Sequence, residues 1–376
     1  MSQHAIVTGE APAVANAFSR LPTPAELRAE VPLRAATGMR IAGQRQAVRD
    51  ILAGRDDRLL VICGPCSIHD VGAAYEYAQR LAELTADLRD VIYPVMRVYV
   101  EKPRTTVGWK GLLHDPGLDG SGDLARGLTA SRTLMRDIAD TGLAVATELL
   151  SPAAVDYLSD TLAWAAVGAR TTESQTHRER MSSLDVPVGF KNATSGAIGP
   201  ACDAIAAAAA PQRYFGQDAD GRPAVIESPG NPDGHLILRG GTAGPNYGAA
   251  DVAAAVDALA RAGQNTRLVV DCSHANSAKT AARQPAVLAD LVGRRVAGER
   301  AIAGVMLESH LVHGKQALGD TRGDTQGDTL CYGQSVTDDC LGFDATAQAL
   351  CEAARALRQS GVSLPASSVK SPLASS

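Results

Sequence analysis

Charged and metal-ligating side chains recur at the ends of short apolar runs: in chain order Cys66, Arg97 with Lys102, Glu148, Arg170, Lys191, Arg239, His274 and Glu308. Any one of them could be an ordinary solvent-facing charge, but a full series needs a common cause. Arg97, Lys102, Arg170, Lys191 and Arg239 are cationic, and Arg104 lies close to Lys102. Guanidinium groups grip carboxylate and phosphate in a bidentate fork, and ammonium adds a compact point charge. Such a set suits a small molecule carrying several negative charges. Cys66, His274 and Glu308, with the acidic pair Asp338 and Asp339, form a mixed sulfur, nitrogen and oxygen set fit for a divalent transition metal. None of these is near another in sequence, so a buried Cys66 and a structural His274 stand as the alternative reading.

Convergence requires a scaffold that gathers strand ends. Eight apolar runs read as strands, at 59–63, 92–98, 144–148, 163–167, 188–191, 236–239, 268–271 and 303–307. Between them, Ala- and Leu-rich stretches with i, i+3/i+4 apolar spacing predict helices at 72–88, 128–140, 152–159, 199–209, 250–263 and 284–297. Alternating strands and helices imply a parallel sheet. Eight strands, with no GxGxxG turn after the first, favour a single (β/α)8 TIM barrel, whose C-terminal strand ends meet at one mouth. Asp-Gly turn chemistry within 213–230 predicts a β-hairpin inserted before the sixth barrel strand. Residues 1–56 read as an N-terminal arm and helix, 57–359 as the barrel, and 360–376 as a Ser/Pro-rich disordered tail. The tandem GDTRGDTQGDT at 319–329 reads as a flexible loop, since it lacks calcium-loop spacing.

Composition narrows the partners. The 376 residues carry 36 Lys+Arg against 41 Asp+Glu, a formal charge of -5, which leaves no basic footprint for nucleic acid. No apolar run reaches the roughly 18 residues of a membrane span, and no signal sequence opens the chain, so a cytoplasmic protein with no membrane partner is expected. Seven scattered cysteines read as thiols rather than a disulfide framework. Cys63-Gly-Pro-Cys66 does match a thioredoxin-type CxxC, making a thiol–disulfide oxidoreductase a competing class. A dithiol reaction, however, has no use for the seven further strand ends and their cations.

The runs LLVICGPCSIHD, VMRVYVEKPRTTVGWKG, GARTTESQTHRE, PVGFKN, HLILRGG, DCSHANS, GVMLESHL and SVTDDC together resemble the microbial type I family of 3-deoxy-arabino-heptulosonate-7-phosphate synthases. The resemblance implies condensation of phosphoenolpyruvate with erythrose 4-phosphate, the entry step of aromatic amino-acid synthesis, by a homodimer or homotetramer. It implies metal ligands at Cys66, His274, Glu308 and Asp338, with Mn2+ or Fe2+ favoured and Co2+ or Zn2+ open. Phosphoenolpyruvate falls to Arg97, Lys102, Arg170, Lys191 and Arg239. The phosphate of erythrose 4-phosphate falls to Arg104 and Thr105, with Pro103 stiffening the approach. Lys102 and His274 are implied as catalytic, and Glu148 as steering a water or balancing charge, unless it forms a salt bridge to Arg97 or Lys191.

Sister condensations using another phosphorylated aldose or an imino analogue, and a non-catalytic phosphoenolpyruvate sensor, are the alternatives. Two departures stand out. Cys63 occupies a position usually aliphatic in the family, so Cys63 or Cys340 could trap Cys66 as a disulfide under oxidation. Arg180 and Asp185 replace leucine and serine of feedback-inhibited relatives, which predicts weak or absent inhibition by aromatic amino acids.

Overall fold

The computed structural model describes residues 19–318 and 330–359; the 319–329 repeat and the 360–376 tail lie outside them. Eight parallel strands close into a barrel: β1 (Leu59–Gly64), β2 (Ile92–Arg97), β3 (Ala144–Glu148), β4 (Trp164–Val167), β5 (Val188–Lys191), β8 (Gly234–Leu238), β9 (Leu268–Asp271) and β10 (Ile302–His310). Between the fifth and sixth of these, β6 (Gln212–Gln217) and β7 (Pro223–Ser228) make the expected antiparallel hairpin. Pairing of β1 with β10, from Leu60 beside Gly304 to Gly64 beside Glu308, closes the ring. A short β11 (Leu341–Gly342) extends the upper end of β10. All eight barrel strands coincide with runs visible in the sequence.

The helices are α1 (Pro24–Glu30), α2 (Ala35–Leu52), α3 (Val71–Ala86), α4 (Leu124–Asp140), α5 (Val155–Leu158), α6 (Gln175–Met181), α7 (Gly199–Ala209), α8 (Ala249–Arg261), α9 (Gln284–Val296) and α10 (Phe343–Gln359). The continuous helix expected over 152–159 is instead a 3-10 turn, one α turn and a second 3-10 turn, ending at Thr161. Within the arm, Thr23 and Glu26 cap α1 reciprocally, and α1 buries Leu27 completely. No helix among the described residues is long and apolar enough to cross a membrane.

Strand alternation divides the core into two layers. Outward residues such as Val61, Cys63, Val145 and Val270 pack beneath the helices. Inward residues, among them Leu60, Ile62, Val95, Ala146, Trp164, Ile237, Val269 and Met306, fill the barrel. Glycine makes room for the Trp164 indole: a Cβ on Gly189 would lie 2.7 Å from Trp164 and 2.4 Å from Ile237.

Candidate active site

The same alternation, carried to the strand tips, builds the floor of the site. The last inward positions are Arg97 after β2's Val95, Glu148 after Ala146, Lys191 after Gly189, Arg239 after Ile237, Asp271 after Val269 and Glu308 after Met306. The other two strands present glycines. A Cβ on Gly64 would meet the Arg97 backbone at 2.8 Å, and one on Gly168 would stand 2.3 Å from Glu148 Oε1. Six charged side chains therefore share one layer, with space made for two of them by glycine.

Most of these charges are buried, a state tolerated only with close partners. Arg97 is fully buried, donates to Glu308 Oε1 at 3.0 Å and lies over the Tyr99 ring at 3.9 Å. Its Nη1 has no partner, leaving one donor free. Lys191 Nζ lies 3.1 Å from Asp271 Oδ2, and His274 Nδ1 lies 2.9 Å from the same oxygen. Burial opposes ionisation of Asp271, yet His274, Lys191 and Arg97 hold its carboxyl well below the usual carboxylate range. Glu148 makes no ion pair among the described residues; Arg97 and Lys191 are engaged elsewhere, so the salt-bridge alternative finds no support.

Cys66, Glu308 and Asp338 each bring a ligand atom within 4.8 Å of the others. His274 Nε2 approaches this group at 4.0 Å from Glu308 Oε1, at the margin of the cluster. Lys102 Nζ sits among the same donors, 2.6 Å from Cys66 Sγ and 2.9 Å from Asp338 Oδ2. Burial, joined by the charge of Glu308, pushes the Cys66 thiol up to about 12 against the pull of Lys102. Burial would likewise discharge Lys102, but Cys66, Glu308 and Asp338 outweigh it and hold the ammonium well above its ordinary value. A cysteine sulfur and two carboxylates converging on one point, with an imidazole at the margin, make a donor set that fits a divalent transition ion. His274 also has a left-handed backbone (φ 54°), as do Ala278 (51°) and Lys279 (58°). Such residues cost about 1–3 kcal/mol each and concentrate where geometry is imposed for function.

Above the charged layer, a cavity of about 270 Å³ is lined by Lys102, Pro103, Arg104, Thr105, Glu148, Arg170, Lys191, Arg239, His274, Glu308 and Asp338. Arg97 and Cys66, also expected at the site, are completely buried and are not among the lining residues. The loop carrying Pro103–Thr105 is fastened by Arg104 Nε to the Trp109 carbonyl at 2.6 Å, and by Arg170 Nη2 to Thr105 Oγ1 at 3.3 Å. Among the lining residues missing from the sequence reading are the cations Lys279 and Lys315 and the small Gly168. Asp271, beneath them, was missed too. Its parity with Val269 was the available signal, whereas the two lysines lie in loops that no periodicity reaches.

The two cysteines of the CxxC part company. Cys63 points outward, its thiol 3.2 Å from Tyr77 Oη under α3, while Cys66 faces Lys102 and Asp338. Cys63 sits outward on β1 while Cys66 lies two residues beyond that strand and faces the site, so the pair does not present a shared dithiol to solvent as an oxidoreductase would need. Cys340 is the buried thiol whose environment includes Cys66.

Barrel and mouth together define a (β/α)8 protein whose cation-lined cavity lies beside a metal-capable cluster. Residues 30–350 match the DAHP synthetase I family, and the chain belongs to it. It is 50% identical over 326 residues to the Tyr-sensitive phospho-2-dehydro-3-deoxyheptonate aldolase of Escherichia coli (strain K12), covering 87% of this chain and 90% of the relative. A phospho-2-dehydro-3-deoxyheptonate aldolase of Corynebacterium glutamicum is 47% identical over 344 residues, 91% and 93% of the two chains. The solved structure of the Francisella tularensis SCHU S4 aldolase of the same name superposes with a TM-score of 0.88 at 40% identity, covering 92% of this chain and 98% of that one.

Proposed function

We propose that the chain condenses phosphoenolpyruvate, erythrose 4-phosphate and water into 3-deoxy-arabino-heptulosonate 7-phosphate and inorganic phosphate, as a metal-dependent cytoplasmic homodimer or homotetramer. One observation carries this beyond family membership. Arg104, Arg170, Arg239, Lys279 and Lys315 line a single cavity with no carboxylate partner among the described residues, whereas Lys102 and Lys191 are paired. Two phosphate monoesters of about -2 each and one carboxylate supply a matching charge.

In this reading Arg170, Arg239 and Lys191 grip the phosphate and carboxylate of phosphoenolpyruvate, with Lys102 alongside and the spare Arg97 Nη1 beneath. Arg104 and Thr105 hold the phosphate of erythrose 4-phosphate, and the fixed φ of Pro103 stiffens their loop. Cys66, His274, Glu308 and Asp338 would hold the divalent ion, manganese or iron before cobalt or zinc, which when bound polarises the aldehyde oxygen. The methylene carbon of phosphoenolpyruvate attacks the aldehyde carbon, and Lys102 gives a proton to the oxygen becoming a hydroxyl. Glu148, unpaired and facing the cavity, orients the water that adds to the phosphate-bearing carbon. Carbon–oxygen cleavage then releases inorganic phosphate and leaves the ketone.

A coupled assay following phosphoenolpyruvate loss and phosphate release tests substrate, reaction and metal together. Turnover is expected to require erythrose 4-phosphate, to fall at least 100-fold in chelator and to return with Mn2+. Phosphoenolpyruvate binding without turnover in saturating Mn2+ would mark a sensor. Faster release with another phosphorylated aldose would mark a sister reaction.

A further inference from the structure

Asp271, in the mouth layer, touches both halves of the site, through His274 on one side and Lys191 on the other. Its side chain is fully buried at the tip of β9. One oxygen, Oδ1, accepts from Ser273 N at 3.0 Å and Ser273 Oγ at 2.6 Å. The other, Oδ2, faces His274 Nδ1 at 2.9 Å and Lys191 Nζ at 3.1 Å. Ser273 Oγ lies 2.7 Å from His274 Nδ1 in hydrogen-bond geometry, while Asp271 Oδ2 has no aligned hydrogen bond among the described residues and meets that nitrogen as its ion-pair partner. With Nδ1 committed, Nε2 is the ring atom left to face Glu308.

We propose that Asp271 is a positioning residue that fixes the proton of His274 on Nδ1, turns the Nε2 lone pair toward the Cys66–Glu308–Asp338 cluster, and ties this arrangement to the anion-binding Lys191. The inference rests on the metal reading above. A carboxylate behind a ligating imidazole sets its tautomer and raises its basicity, and loss of such a partner weakens metal binding by about 10–100-fold. Here the carboxylate is shared. Removing its charge therefore loosens His274 and leaves Lys191 without a counterion, so both ligand classes should suffer from one substitution.

The test is calorimetric titration of the metal-stripped full chain with Mn2+, and separately with phosphoenolpyruvate, for wild type and Asp271→Asn. Expected are Mn2+ binding weakened at least tenfold and altered phosphoenolpyruvate affinity, with Ser273→Ala changing either by less than threefold. In parallel, 15N spectra of histidine-labelled, metal-free wild type, taken where the ring is neutral, should show the Nδ1–H tautomer of His274. This measurement decides the matter even if Asp271→Asn fails to fold. Wild-type affinities in Asp271→Asn, or a proton on Nε2, overturn the positioning role and leave the proposed reaction standing. Weakened Mn2+ binding with unaltered phosphoenolpyruvate affinity removes the link to Lys191. A wild-type chain that binds no Mn2+ overturns the metal reading and this inference together.

Discussion

Gly168 and Glu148 show how narrowly single atoms define the mouth. The Cβ of an alanine at 168 would fall 2.3 Å from Glu148 Oε1, so the carboxylate, at the free end of its side chain, must swing away while the backbone stays put. Gly168→Ala should therefore fold with a melting temperature close to wild type but lose about 10–100-fold in kcat, the usual worth of a positioned proton-transfer or water-orienting group. Glu148→Gln should lose a similar factor, and the double variant no more than either alone. Full activity in Gly168→Ala would remove Glu148 from the mechanism. At this scale much of the site was legible: a polar residue closing an apolar run needs no alignment to be noticed. What escaped notice was Asp271, because His274, three residues on, took its place in the series, and only the inward parity of 269 and 271 distinguishes the two.

At the scale of elements, strands were easier to read than helices. Fully buried barrel strands are near-continuous apolar runs, whereas α6 carries Arg178 and Arg180 in its seven residues and shows no stripe. The arm was hard for a similar reason: α1 is held by its cap and by Arg28, which donates to the Asp156 carbonyl at 2.6 Å, rather than by a periodic apolar face. Arg180 has a consequence for control. A second cavity, of about 280 Å³, lies between α6, the 3-10 turn at Pro152–Ala154 and the β6–β7 hairpin. Arg180 forms one wall, paired with Asp156 and donating to Tyr214 Oη at 3.2 Å. Relatives at 50% and 49% identity carry tyrosine and phenylalanine sensitivity in their names. An aromatic ring entering this cavity would strip water and partners from a guanidinium, which is unfavourable. About 1 mM phenylalanine, tyrosine or tryptophan, saturating for micromolar sites, should change the initial rate of this enzyme less than twofold; strong inhibition by any of the three would refute this.

For the whole molecule, acid stability is governed partly from the barrel's lower interior. His235 is completely buried, accepts a hydrogen bond from Trp164 Nε1 at 3.0 Å, and is driven by burial down to about 4. In the unfolded chain the same imidazole titrates near its ordinary value of about 6.5. Between these values the unfolded state binds the extra proton, so His235 supports the fold fully above pH ~6.5 and progressively less as pH falls toward 4. The loss amounts to about 3 kcal/mol at most. Urea titrations at pH 7 and pH 4.5 should show wild type losing more stability than His235→Gln; parallel losses would mean the histidine is solvated in the native state.

Closure of the ring by β1 and β10 has a further consequence, for how the chain comes to be folded at all. Arg97 is fixed early, in the second strand, but its carboxylate arrives with Glu308, 211 positions later. A fragment ending before the final strand would have to inter a bare guanidinium or leave its second strand unformed, and either choice is costly. Half-barrels of this sequence are thus penalised by their own catalytic machinery. The pair ties the second strand to the last, so that the buried guanidinium meets its carboxylate only in the closed ring.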